Sequence, residues 1–189
     1  MRIISGKYKG HPLVAFEADH IRPTTDRVKE TLFNKLMFQI EGTRVLDLFA
    51  GTGNLGIEAL SRGAREVIFV EMHPKSIQIL KKNLEKLKVP TSDYKIINMD
   101  VLSYLKRYDG EAFDIIFADP PFTETMAHAV MEHVCTSKAF GADTLLTIES
   151  EKRERMESTY GDLERYDQRT FGYKILSFFR KKQDNGAHE

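Results

Sequence analysis

A single cysteine and no tryptophan occur in this chain of 189 residues. The lone cysteine, Cys135, excludes an internal disulfide and points to a reducing compartment. No apolar run approaches the ~20 residues of a membrane-spanning helix. The opening segment, Met1 to Lys7, lacks the apolar stretch of a secretory leader. These absences together lead us to expect a cytoplasmic protein with no membrane association. An excess of charge of either sign is missing too, because 28 basic and 28 acidic residues give a formal net charge of +0. The molecule as a whole is therefore not drawn to nucleic acid, and any basic patch has to be local. Internal repeats and low-complexity tracts are absent. The six histidines follow no metal-ligand spacing: His128 and His133, five apart, do not share a helix face. No Ser/His/Asp arrangement is visible either, so neither a metal nor a nucleophilic triad is expected. No obligate protein partner is visible.

What is present is ordinary globular material. Hydrophobic residues make up 41% and charged residues 30%, enough for one domain with a real core. Residues 2–14, "RIISGKYKGHPLV", read as two short strands around Gly6 and Gly10. Thr24, Thr25 and Asp26 offer a cap for a helix over 26–39, where Val28, Leu32 and Leu36 recur at helical spacing. From residue 44, strands such as "RVLDLFA", "EVIFVEM", "YKIINMD", "FDIIFAD" and "TLLTIES" alternate with helices, the last of them over 151–160. Continuous apolar strands predict a parallel sheet covered on both faces. The ending differs: "LERYDQRTF", Gly172 and "YKILSFFRK" form a hairpin, which forces one strand to run antiparallel. That is the seven-stranded, mostly parallel α/β plan of Rossmann-like class I methyltransferases, an analogy of fold alone. The expected organisation is a β-hairpin extension over 1–20, a methyltransferase domain over 21–182 and a polar tail over 183–189.

Two motifs carry chemistry. The first is Gly51-Thr52-Gly53-Asn54-Leu55-Gly56, between a strand and a helix, as a cofactor loop requires. Glu71 ends the next strand, placed to accept from both ribose hydroxyls, and Met72 beside it joins the cofactor set. Asp47, four residues before Gly51, argues against a pyrophosphate and for S-adenosylmethionine, whose sulfonium and ammonium are cationic and which leaves as S-adenosylhomocysteine. Asp47 would receive the ammonium, directly or through water. Asp100 would accept from the adenine amino group with Val101 packing nearby, or simply cap the helix that follows; both roles are compatible.

The second motif is Asp119-Pro120-Pro121-Phe122, after the buried run Ile115-Ile116-Phe117. Its strand is expected beside the first, across the sheet's switch point. An exocyclic amino group on a base is a poor nucleophile because its lone pair is delocalised into the ring. Asp119 can accept one N–H and the Pro120 carbonyl the other, which aims the lone pair at the methyl carbon. The prolines hold that carbonyl in place, and Phe122 offers a face for the base to stack on. The bland alternative is a strand ending in an Asx-Pro turn with a core phenylalanine.

"RIISGKYKGHPL", "RPTTDRVKETLFNKL", "LDLFAGTGNLGIEALSRGA", "EMHP" and "DPPF", in that order, resemble the RsmD family, the bacterial 16S rRNA guanine-N2 methyltransferases. The resemblance covers nearly the whole chain. It implies methylation of guanine N2 on 16S rRNA within an assembled or assembling small ribosomal subunit. It further implies cofactor roles for Asp47, Gly51, Gly53, Glu71 and Asp100, and base contacts for Asp119, Pro120 and Phe122. The rival readings are an amino methyltransferase for DNA adenine N6 or protein glutamine N5, and a non-catalytic RNA-binding module. Local charge suits RNA: residues 1–14 hold Arg2, Lys7 and Lys9 and no acid. A hairpin projecting beside the sheet's carboxyl edge would grip phosphates there while Tyr8 stacks or hydrogen-bonds. Arg22 and Thr25 are expected over the cofactor or on the RNA backbone. A capping hairpin without RNA contacts is the alternative.

Overall fold

The structure is a computed structural model, and it describes residues 1–15, 26–122 and 125–183. Elements follow in the order α1 (Asp26–Lys35), β1 (Arg44–Leu48), α2 (Asn54–Ser61), β2 (Glu66–Glu71), α3 (Pro74–Lys86), β3 (Tyr94–Asn98) and α4 (Val101–Arg107). They continue with β4 (Phe113–Ala118), α5 (Met126–Thr136), β5 (Phe140–Glu151), β6 (Thr159–Tyr160), β7 (Leu163–Phe171) and β8 (Lys174–Lys181). The strands form one eight-stranded sheet in the order β3-β2-β1-β4-β5-β8-β7-β6. β1 through β5 are parallel, while β8 runs antiparallel to β5 and β7 antiparallel to β8. The chain winds outward from β1 through β2 to β3, then returns to place β4 on the other side of β1. Ligands bind at such a reversal in open α/β sheets, beyond the carboxyl ends of the strands.

Alternate residues of each strand feed two separate cores, which is why the strands read as unbroken apolar runs. Val45, Phe69, Phe117 and Phe178 pack beneath α1, α2 and α3. Leu46, Ile68, Ile116 and Phe179 pack beneath α4 and α5. The expected architecture is present, with one strand more than foreseen. The extra strand, β6, arises where a helix over 151–160 was expected. β5 runs on to Glu151, a 3-10 turn covers Lys152–Glu154, and Arg155 takes a left-handed φ of 45°. The cause is competition for Glu154, whose carboxylate accepts from the Ala127 and His128 N–H groups at the exposed start of α5. With only Met156 and Tyr160 as apolar anchors, the segment follows that pull.

Two further expectations shift. α1 ends at Lys35 rather than at 39, because Met37 and Gln39 reach back only three residues, to Asn34 and Leu36. The N-terminal segment folds back on itself through one isolated bridge, Arg2 to Pro12, not two full strands. Nor does it project beside the carboxyl edge. Ile4 and Ser5 donate to Glu58, and Lys7 and Tyr8 donate to Ser61, so its turn lies on the C-terminal half of α2. α2 runs away from the carboxyl edge, and that docking carries the turn away with it. Ile3, Tyr8 and Leu13 join the core beneath α1 and α2. Among the described residues, no helix is long and apolar enough to cross a membrane.

Candidate active site

Phe117 is the register partner of Asp47, and Ala118 of Leu48. The glycine loop leaving β1 and the Asp119–Phe122 segment leaving β4 therefore emerge side by side at the carboxyl edge. The first functional motif is built mainly of backbone donors held by carboxylates. Asp47, 2% exposed, accepts from the Gly56 N–H at 2.8 Å. A Cβ at Gly56 would meet Asp47 Oδ2 at 2.8 Å and the Phe69 ring at 2.3 Å, so this position must be glycine for the helix to seat so closely. Gly53 caps α2 with a left-handed φ of 88°. Glu71 uses both oxygens: Oε2 accepts from Gly51 N–H and Oε1 from His73 N–H, each at 2.8 Å. One side chain thus fastens the loop after β1 to the turn after β2. Each oxygen keeps acceptor capacity beyond these two bonds, enough for a pair of vicinal hydroxyls to donate to.

Asp47 is pushed up to about 8, chiefly by burial, with the charges of Asp119 and Glu71 adding to the effect and the Gly56 hydrogen bond opposing it. At neutral pH its folded form is therefore protonated, while the unfolded chain ionises near 3.8. Because the folded state then holds the extra proton, this group's contribution to stability is full in acid and is lost as pH rises to about 8. Asp47→Asn keeps an acceptor for Gly56 and removes the titration. It is expected to melt above the parent, by a margin that widens between about pH 5 and pH 8, with a slope of at most about 1.4 kcal/mol per pH unit. A margin independent of pH would show that Asp47 is ionised throughout.

The other expected cofactor residues divide. Asp100 accepts from Ser103 N–H at 2.8 Å as the N-cap of α4 and keeps an exposed side chain. Val101 is 3% exposed and belongs to the core under α4, so it offers little surface to a ligand. Met72, next to Glu71 in sequence, is 62% exposed, a large apolar side chain standing in water.

At the second motif, Asp119 is half-buried and its N–H meets Leu48 O at 3.4 Å. Pro120 is buried, and Phe122 is half-buried with its ring nearly perpendicular to that of Tyr173, the centroids 6.2 Å apart. Lys174 Nζ lies 4.9 Å from the Phe122 centroid. Three acids, Asp47, Glu71 and Asp119, thus stand close enough to influence one another around one loop. Such a set is rich in oxygen acceptors and contributes no cation to pair with a phosphate. Among the described residues, no three His, Cys, Asp or Glu side chains are grouped to hold a metal.

Of the residues expected on RNA, Arg2, Lys7 and Lys9 are exposed, and Arg2 pairs with Asp26 at 3.2 Å. Tyr8 is a correction: at 8% exposure it belongs to the core, with Lys7 over its ring, so it offers no stacking platform. The apolar contacts of the docked turn account for its burial. Arg22 and Thr25 lie outside the described residues. Sequence reasoning missed Lys29, Glu58, Glu149, Lys174 and Tyr173. Lys29 Nζ reaches Arg2 O, Asn54 Oδ1 and Glu58 Oε2 at 2.6, 3.0 and 3.1 Å, tying α1 to the loop's helix.

A family model described as "Conserved hypothetical protein 95" matches residues 1–180. The ribosomal RNA small subunit methyltransferase D of Haemophilus influenzae is 41% identical over 153 residues, spanning 80% of this chain and 79% of that protein. Its Escherichia coli namesake is 38% identical over 151 residues, with 80% and 75% coverage. The solved structure of YhhF from Escherichia coli, named as a methyltransferase, superposes with a TM-score of 0.85 at 32% identity, covering 96% of this chain and 98% of that one. The chain accordingly belongs to the conserved-hypothetical-95 or RsmD family, that of the ribosomal RNA small subunit methyltransferases D.

Proposed function

We propose that this protein transfers a methyl group from S-adenosylmethionine to the exocyclic N2 of a guanine in 16S rRNA. Its substrate is the assembled or assembling small ribosomal subunit. The observation that carries the reading is the adjacency of the two motifs: Asp119 leaves β4 directly beside Asp47 and the glycine loop on β1. The family relatives, named as small-subunit rRNA methyltransferases, support the RNA class. The acceptor-rich lining, with no cation for a phosphate, supports a phosphate-free donor.

Bound at the loop, S-adenosylmethionine supplies an electrophilic methyl group and leaves as the uncharged thioether S-adenosylhomocysteine. Glu71 holds the ribose, with its geometry set in advance by Gly51 and His73. Asp100 accepts from the adenine amino group through the exposed part of its carboxyl. Asp119 and the Pro120 carbonyl accept the two N–H groups of the target amine, which turns its lone pair toward the methyl. As the new N–C bond forms and the C–S bond breaks, the nitrogen turns cationic, and the Asp119 carboxylate stabilises it and takes the surplus proton or passes it to water. Phe122 stacks on the extruded base, a contact worth about 1–3 kcal/mol. Exposed Lys7 and Lys9, on the turn carried away from the carboxyl edge, and Arg2 meet phosphates at a distance from the target base.

The test is mass mapping of methylated nucleotides after incubating the protein and donor with immature small subunits from a strain lacking its gene. One modified guanine, methylated at N2, is expected. Methyl incorporation into adenine, or into ribosomal protein alone, would overturn the assignment.

A further inference from the structure

Behind Phe122 lies a charged pair that the chemistry above does not use. Lys174 is 7% exposed and Glu149 3% exposed, and Lys174 Nζ donates to Glu149 Oε1. Ala118 and Ile148 are register partners on β4 and β5, so the residues that follow them, Asp119 and Glu149, stand side by side. Glu149 pairs with Leu176 on β8, and Lys174 lies two residues before Leu176 on the same face. Asp119, Glu149 and Lys174 thus form a row across three adjacent strands at the carboxyl edge. The Glu149 carboxyl is raised to about 7, first by burial and then by the charge of Asp119, against the opposing pull of Lys174. The same ammonium stands 4.9 Å from the Phe122 centroid, and Tyr173 meets the ring at an interplanar angle of 80°. Buried ion pairs contribute little net stability, and an apolar pair of similar volume often does as well or better. An apolar pair would not supply a fixed cation over one aromatic face, nor a counter-charge beside a carboxylate.

We propose that Lys174, held by Glu149, is a positioning residue for the target base. Its ammonium covers one face of Phe122 and leaves the other for the base, and it balances the acid next to Asp119 so that Asp119 stays an acceptor. Tyr173, 42% exposed at the hairpin tip, stands nearly perpendicular to that ring. The inference rests on Asp119 to Phe122 being the base site. It also gives the terminal hairpin a purpose. Only a strand running backwards begins at the carboxyl edge, and β8 begins there with Lys174.

The experiment compares Lys174→Met, Lys174→Arg, the double variant Glu149→Leu/Lys174→Met, and Asp119→Ala. Methyl-transfer rates are measured on immature small subunits at saturating donor, with donor affinity by calorimetry and melting temperature alongside. Lys174→Met is expected to slow transfer about tenfold to a hundredfold, as a displacement of about an ångström does, with donor affinity unchanged. Lys174→Arg recovers most of the rate. The double variant melts at or above the parent yet stays slow, and it carries the test should Lys174→Met fail to fold. A double variant as fast as the parent, or a loss that tracks donor affinity, would overturn the inference. If Asp119→Ala is inactive while the double variant is fast, only the inference fails. If Asp119→Ala transfers at the parental rate, the base-site reading itself fails and the inference with it.

Discussion

Asp119→Ala is expected to slow methyl transfer by about 10²–10⁴-fold while donor affinity holds within a few-fold. Asp119 follows a strand whose last residues are locked in register with β1, and it is followed by a proline that is buried. Its carboxylate is therefore fixed at the carboxyl edge, while the neighbouring acid, Glu149, is engaged by Lys174. Without it, the Pro120 carbonyl is the sole acceptor for a two-donor amine, and the lone pair is free to rotate out of line. The charge that stabilises the developing cation is lost as well. Donor binding should survive because Glu71, not Asp119, holds the loop. Removing Asp119 even relieves part of the acid crowding that raises Asp47. Single-turnover rates with donor titrations separate the two effects. Glu71→Ala is the comparator, since it frees the Gly51 and His73 N–H groups and should cost affinity first. If the Asp119 variant loses as much affinity as the Glu71 variant, the two carboxylates have been given each other's roles.

What the sequence made legible was whatever local spacing encodes. The alternation of apolar strands with helices, the glycine loop and the Asp-Pro-Pro-Phe turn all lie within short windows, and each appears where it was expected, the helix over 151–160 excepted. The order β2-β1-β4 follows from the handedness and length of the crossovers, not from any one residue. The failures are tertiary. The stretch 151–160 reads as a helix until Glu154 is seen capping α5, twenty-seven residues away in sequence from Ala127. Tyr8 reads as an exposed ring among lysines because only the docked turn reveals Ser61 beneath it. The buried charges were harder still. Lys29 shares a stripe with Phe33 and Leu36, and Glu58 sits in the apolar helix "NLGIEALS". Glu149 follows Ile148, and Lys174 precedes Ile175 and Leu176. A charge at an apolar position is a visible signal, but its partner lies on another element, so sequence spacing alone could not pair Lys29 with Glu58 or Glu149 with Lys174.

Glu58→Ala should be the most destabilising single change of those discussed, and its effect should depend on pH. Glu58 is fully buried and accepts from four donors: Ile4 N–H at 2.8 Å, Ser5 N–H at 3.0 Å, Arg62 Nε at 2.8 Å and Lys29 Nζ at 3.1 Å. Deleting one member of a buried ion pair costs about 3–5 kcal/mol, which for a chain of this size lowers the melting temperature by roughly 6–20 °C. The stranded charge is Lys29, 1% exposed, whose ammonium burial already pushes below its ordinary 10.5 despite Glu58. Without Glu58 the folded state should shed that proton still more readily, while the unfolded chain keeps it up to 10.5. The unfolded state then binds more protons than the folded one, so the variant regains stability as pH rises toward that value. Thermal melts of parent and variant at about pH 7 and pH 9.5 measure this, and the gap should narrow at the higher pH. Lys29→Met should cost less, because Glu58 keeps Arg62 and two backbone donors. Lys29→Met also frees Asn54, which Lys29 holds at the first turn of α2, so it should weaken donor binding without touching Asp119. A gap that stays constant with pH would mean that Lys29 remains charged in the variant, and that water or another acid has reached it.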